Sequence, residues 1–178
     1  FGVNDAGTRF VYVIDNSGSM ESHDALQAAK NELLRSVEAL GEEQRFLVIF
    51  YNVELTVIGP RDEPLQMFHG TDVDRLDLSQ QIAPIEGDGG TDHVLALRES
   101  LEYHADVIFF LTDAGRPGLT TGEIEEITER NGGASRIHCI EFGGDPELAR
   151  EDPSNSLRRL AEMNHGRYMY KDVRSFAP

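Results

Sequence analysis

The chain has 178 residues, 39% hydrophobic and 27% charged, which is the size and make-up of one folded domain and excludes a disordered, collagen-like or coiled-coil chain. Its 16 Lys and Arg against 32 Asp and Glu leave a formal net charge of −16, which repels nucleic-acid phosphates and anionic lipid head groups. No nucleic-acid partner is expected.

The chain opens at Phe1 rather than Met, without a basic and apolar leader, and reads as a single domain, residues 1–178, excised from a longer protein. Arg9 to Ile14 (RFVYVI) is rich in aromatic and β-branched residues and stops at Asp15, as a strand buried on both faces does. From His23 to Leu40 the apolar positions Leu26, Ala29, Leu33, Val37 and Leu40 recur every three or four residues, and Gly41 follows as a stop, so a helix is predicted. Arg45 to Tyr51 and Glu54 to Ile58 flank Asn52 and predict a tight hairpin whose second strand is an antiparallel edge. The longest apolar run, Phe46 to Tyr51, is far shorter than the ~18 residues a spanning helix needs, so no membrane insertion is expected.

Pro60 to Asp72 has little periodicity, and Val73 to Ile85 suits a helix with Leu76, Leu78 and Ile82 as its apolar positions. The Gly-rich loop Glu86 to Asp92 leads to a helix marked by Val94, Leu97 and Leu101, then to a central strand, Asp106 to Thr112. Thr120 and Glu123 form a capping box for a helix through Arg130, and Arg136 to Phe142 is the fifth strand. Within it stands Cys139, the one cysteine, which reads as a buried packing residue and leaves no partner for a disulfide. A helix from Asn155 to Asn164, with Leu157, Leu160 and Ala161 inward, and a strand from Arg167 to Tyr170 complete the chain. The acidic stretches Glu42-Glu43, Glu123 to Glu129 and Glu147 to Asp152 read as solvated faces.

Strands alternating with helices predict an α/β fold: a doubly wound, Rossmann-like, mostly parallel six-stranded sheet with one antiparallel edge strand and helices on both faces. In the common doubly wound order the first strand and the Asp106 to Thr112 strand are neighbours, and ligands bind beyond their carboxyl ends. Asp15, Ser17 and Ser19 follow the first strand, Asp113 follows the central one, and the Gly-rich loop brings Thr91. Two acids and three hydroxyls, with no His or Cys, form a hard oxygen donor set that favours Mg²⁺, with Mn²⁺ or Ca²⁺ as substitutes, and disfavours zinc. The same residues also suit local roles: turn and cap positions for the serines, an N-cap for Thr91, and hydrogen bonds to loop amides for the aspartates. Asp92 is a candidate outer-shell group or a favourable charge at the helix start.

This arrangement resembles the von Willebrand factor type A domain with its metal-ion-dependent adhesion site, the fold of integrin inserted domains, over nearly the whole chain. The family's Asp-x-Ser-x-Ser reads here as Asp15, Ser17 and Ser19, its threonine as Thr91 and its second aspartate as Asp113. The resemblance implies that the serines bind the cation directly, the threonine directly or through water, and the aspartates often through water. Two departures stand out: Ala114 replaces the glycine that follows the second aspartate in many members, and Lys171 to Pro178 is too short for the mobile C-terminal helix of integrin domains. The opening VYVIDNSGSM looks more like microbial members than integrins, with the cell envelope or the exterior slightly favoured as location.

The expected function is metal-dependent protein binding, adhesive or scaffolding, by a monomeric domain whose partner offers a Glu or Asp carboxylate. An alternative is a subunit or regulatory domain working with a chaperone-like ATPase. A metal-dependent hydrolase is disfavoured, because His23 and His93 each open a helix as neutral surface histidines and no nucleophile elbow or phosphate-binding loop is present.

Overall fold

The computed structural model describes residues 5–61, 66–113, 118–144 and 155–176. In chain order the strands are β1 (Arg9–Asp15), β2 (Arg45–Tyr51), β3 (Leu55–Ile58), β4 (Phe68–His69), β5 (Val107–Thr112), β6 (Arg136–Gly143) and β7 (Tyr168–Asp172). They form one sheet in the order β3-β2-β1-β5-β6-β7, with β4 also on β2. β1, β2, β5, β6 and β7 are parallel, while β3 and β4 pair antiparallel with β2, on Tyr51–Val48 and Phe46–Arg45 respectively. The expected α/β, mostly parallel, doubly wound sheet is therefore present. The expected six strands become seven, because β4 has only two residues, too few to carry a period in the sequence.

The helices are α1 (Ala25–Glu38), α2 (Asp72–Ile82), α3 (His93–Glu102), α4 (Thr121–Asn131) and α5 (Ser156–Met163). Alternation along β1 assigns each side chain to a layer: Phe10, Tyr12 and Ile14 pack with α1 and α2, Val11 and Val13 with α3, α4 and α5. Both faces of the central strands are covered, which is why they read as continuous apolar runs. The α4 capping box is present, with Thr120 Oγ1 accepting from Glu123 N and Glu123 Oε2 accepting from Thr120 N at 2.7 Å.

Two expectations about helices need correction. The predicted helix from His23 begins as a 3-10 turn, Gly18–Asp24, and becomes α-helical at Ala25, after Asp24 has taken φ 56°. Leu76 was expected to face inward with Leu78 and Ile82, yet it is 61% exposed while those two are buried. Residues two apart cannot share a helix face, and the 78/82 pair sets the buried side. Polar residues also enter the buried face of α1: Lys30 Nζ donates to Ile85 O, and Glu32 pairs with Lys171 of β7 at 3.1 Å. After Tyr170, where the last predicted strand ends, β7 runs on to Asp172, and a 3-10 turn, Val173–Phe176, follows with Val173 in the core.

Candidate metal centre

The last inward residue of β1 is Asp15, fully buried on the α3–α5 side of the sheet. Its Oδ1 accepts from Ser17 N at 2.8 Å, a turn closed by its own side chain, and its Oδ2 accepts from Thr112 Oγ1 at 2.7 Å. That turn sends the chain across the top of the sheet and brings the Ser17 and Ser19 hydroxyls within 3.2 Å of each other. The serines do make the turn, but they cap no helix: the α1 N-cap position is Asp24, with no side-chain cap bond. Asp113 follows β5 and lines one cleft with Ser19 and Gly143.

Thr91 reaches the same end of the sheet on a braced loop. Gly18 N donates to Gly89 O at 3.1 Å, Asp88 N to Asn16 O at 2.8 Å, and Asp92 N to Asn52 O at 2.8 Å. Gly89 holds φ +70°, a left-handed conformation that glycine adopts without strain. Three side chains complete the brace: Asn16 Nδ2 on Glu86 O (3.2 Å), Asn52 Nδ2 on Asp88 O (3.0 Å) and Glu21 Oε1 on Gly87 N (2.5 Å). Burial pushes the Lys30 ammonium pKa down, against the pull of Glu21 and Glu86, while its Nζ secures Ile85 O beside this loop.

The expected N-cap role of Thr91 belongs instead to Asp92, whose Oδ1 accepts from Leu95 N at 2.9 Å. Among the described residues the Thr91 hydroxyl has no hydrogen-bond partner, and it faces a cleft shared with His93 and Glu123. His93, expected at the surface, is 5% exposed. Its Nδ1 lies 2.9 Å from Tyr51 Oη, and its ring meets Tyr51 and Phe110 edge-on. Burial pushes the His93 pKa down against Asp15, Asp113, Asp92 and Glu123, and pushes the Tyr51 phenol up, with Asp15 adding to that rise. Both rings thus feel both candidate aspartates. Tyr51, Thr112 and Asn52 are site residues that sequence reasoning missed. The available signal was register: Tyr51 pairs with Asp15 across β1 and β2. The His23 side chain, Ala114, and Glu147 to Asp152 lie outside the described residues.

Among the described residues no three His, Cys, Asp or Glu side chains converge to hold a metal. A cation here would depend on hydroxyls beside two carboxylates, the donor set that suits Mg²⁺ rather than zinc.

The family model for the von Willebrand factor type A domain matches residues 8–170. The chain belongs to that family. Solved structures similar to this type A domain include the von Willebrand factor type A protein from Catenulispora acidiphila, with TM-score 0.77 at 20% identity, covering 96% of this chain and 40% of that one. The conserved hypothetical protein BatB from Bacteroides thetaiotaomicron gives 0.69 at 15%, covering 96% and 95%. The ArnB paralog VWA2 from Sulfolobus acidocaldarius gives 0.65 at 17%, covering 98% and 44%. At these identities the likeness shows the fold alone. The chain spans less than half the length of the first and third. No curated protein sequence matches it.

Proposed function

We propose that this type A domain is a metal-dependent protein-binding module, with Asp15, Ser17, Ser19, Thr91 and Asp113 as its cation site. The observation that carries this reading is the unspent donor set: the Ser17 and Ser19 hydroxyls bond to each other rather than cap a helix, and Thr91 leaves capping to Asp92. Mg²⁺ is the proposed ion, with Mn²⁺ or Ca²⁺ as substitutes. When bound, it would supply an electrophilic position for an incoming Glu or Asp carboxylate of a partner protein. The roles of the chain's own residues follow from their surroundings. Asp15 is fixed by two hydrogen bonds, and the serine turn and the braced loop present hydroxyls from two segments.

The reading is non-enzymatic. A general base must reach the proton it removes, and His93, which lines a cleft with Thr91, is buried with its Nδ1 2.9 Å from Tyr51 Oη. A second reading, a regulatory part of a larger assembly such as one with a chaperone-like ATPase, is favoured by one observation: two of the similar chains are more than twice as long as this domain. It uses the same site.

Thermal unfolding of wild type and Asp15→Ala, in chelator and then with Mg²⁺ or Mn²⁺ added, tests the proposal. The wild type is expected to gain about 2.7 kcal/mol when the metal stands 100-fold above its dissociation constant, and the mutant nothing. Equal responses without saturation would overturn the cation site.

A further inference from the structure

The starts of α3 and α4 wall a cleft of about 120 Å³, Thr91 to Val94 from the first and Gly118 to Thr120 with Glu123 from the second. Each start uses a carboxylate that spends only one oxygen. Asp92 Oδ1 accepts from Leu95 N at 2.9 Å, and Glu123 Oε2 accepts from Thr120 N at 2.7 Å and Thr120 Oγ1 at 2.8 Å. Asp92 Oδ2 and Glu123 Oε1 have no hydrogen-bond partner among the described residues. His93 lines the same cleft and is only 5% exposed. Its Nδ1 lies 2.9 Å from Tyr51 Oη, while Nε2 has no partner among the described residues. Among those residues Arg9 Nε alone is a side-chain polar atom both sealed from solvent and unpartnered. His93 Nε2 is therefore not sealed, and it opens on the cleft that its residue lines.

We propose that this cleft is a binding subsite for an ammonium group, the lysine side chain of the protein partner whose carboxylate meets the cation. Charge selects the class of ligand. Two carboxylates outweigh the roughly +0.5 that each helix start contributes, and no Lys or Arg stands among the described walls. Arg98 of α3 is turned to Glu126, which takes its Nε and one terminal nitrogen at 2.8 Å each. The acceptors select the head group: Asp92 Oδ2, Glu123 Oε1 and His93 Nε2 are three separate atoms around one small space, and an ammonium carries three rotating N–H donors. To accept there, the neutral imidazole holds its proton on Nδ1 and donates it to Tyr51 Oη, which the 2.9 Å separation permits. Thr91, a proposed ligand of the ion, lines the same cleft, so the partner's carboxylate and lysine would enter side by side. The ammonium then offsets the charge of a carboxylate brought to a domain of −16. As a partner contact the subsite rests on the protein-binding reading above, whereas its affinity for an ammonium does not.

Nα-acetyl-lysine methylamide, a lysine as it stands within a chain, is the probe, titrated in chelator at constant ionic strength. The readout is the NMR shift of the His93 ring nitrogens and of the Leu95 and Glu123 amides. Saturable shifts at these positions are expected, and none with the Nε-acetylated probe, which has lost the charge. Asp92→Asn and Glu123→Gln each remove a carboxylate yet keep the helix start, because Asn caps as well as Asp and Gln serves in a capping box. Each is expected to weaken the lysine probe about 5-fold. A wild type without saturable shifts at these positions up to about 0.1 M probe overturns the subsite, whether or not a variant folds. Shifts of equal size with the acetylated probe, or variants that bind the lysine probe as tightly as wild type, overturn it too. Since chelator removes any divalent ion, failure here leaves the cation site untouched. Failure of the Mg²⁺ test with success here overturns only the neighbouring carboxylate contact and supports the ammonium subsite by itself.

Discussion

Gly166 lies in the turn from α5 to β7, directly over the start of β6. A Cβ there would stand 1.8 Å from Ile137 O and 2.4 Å from its carbonyl carbon, and both are backbone that cannot step aside cheaply. Gly166→Ala is therefore expected to cost about 3 kcal/mol, seen as a lowered urea midpoint; a change below about 0.5 kcal/mol would mean that the turn lifts away freely. Cys139 shows the opposite case, an unreactive residue. Fully buried, with its thiol pKa pushed far up by burial, it acts as core packing, as its setting in IHCIEF suggests. His93 could not be judged in this way. A histidine that opens a helix is ordinarily solvated, and only the stacking of α3 against the ends of β2 and β5 buries it.

At the scale of elements, the segment before β1 is fastened to the end of the sheet opposite the candidate site. Asp5 Oδ2 receives Arg136 Nε and His138 Nε2, each at 2.7 Å, while Arg167 N donates to His138 Nδ1 at 2.9 Å. Burial pushes the Asp5 carboxyl up, but the bonds from Arg136 and His138 outweigh it and hold the pKa at about 2, below the ordinary 3.8. A carboxyl that titrates lower in the folded chain stabilises it fully above its unfolded pKa and loses that contribution as the pH falls through the folded value. Denaturation of wild type and Asp5→Asn should thus differ by a constant amount above about pH 5, with the gap closing between about pH 4 and pH 2. A gap independent of pH would assign the effect to packing. Elements with a strong period, such as α1 and β5, were legible in the sequence because their buried faces repeat. β4 was not, since two residues carry no period, and Leu76 was misplaced because a short, polar helix leaves its inward face to tertiary contacts.

For the whole molecule, the net charge of −16 and the proposed carboxylate-bearing partner pull in opposite directions. Long-range repulsion acts beyond contact and is screened within about 8 Å at physiological salt, whereas attraction to a bound cation acts at contact. The association rate with an acidic partner, followed by stopped-flow fluorescence with Mg²⁺ held constant, is therefore expected to rise as NaCl increases from low to physiological concentration. A rate that falls with salt would point to a basic partner. Among the described residues no helix is long and apolar enough to cross a membrane.

Taken by itself, the sequence determined the class of fold and the candidate ligands. Buried parallel strands must be apolar throughout, and Asp15, Ser17, Ser19, Thr91 and Asp113 stand at strand-end and loop positions that right-handed crossovers send to one end of the sheet. Tertiary structure alone decided what surrounds them. Asp15 is bonded by Thr112, 97 residues away, and Tyr51 by His93, 42 residues away, and no local pattern encodes a hydrogen bond between the ends of separate elements. The bonds from Asn52 and Glu21 to the Gly-rich loop, and from Lys30 to Ile85 beside it, are of the same kind. Each of these side chains looks like an ordinary surface or strand-end residue until the packing of helices on the sheet removes water and obliges it to find a partner.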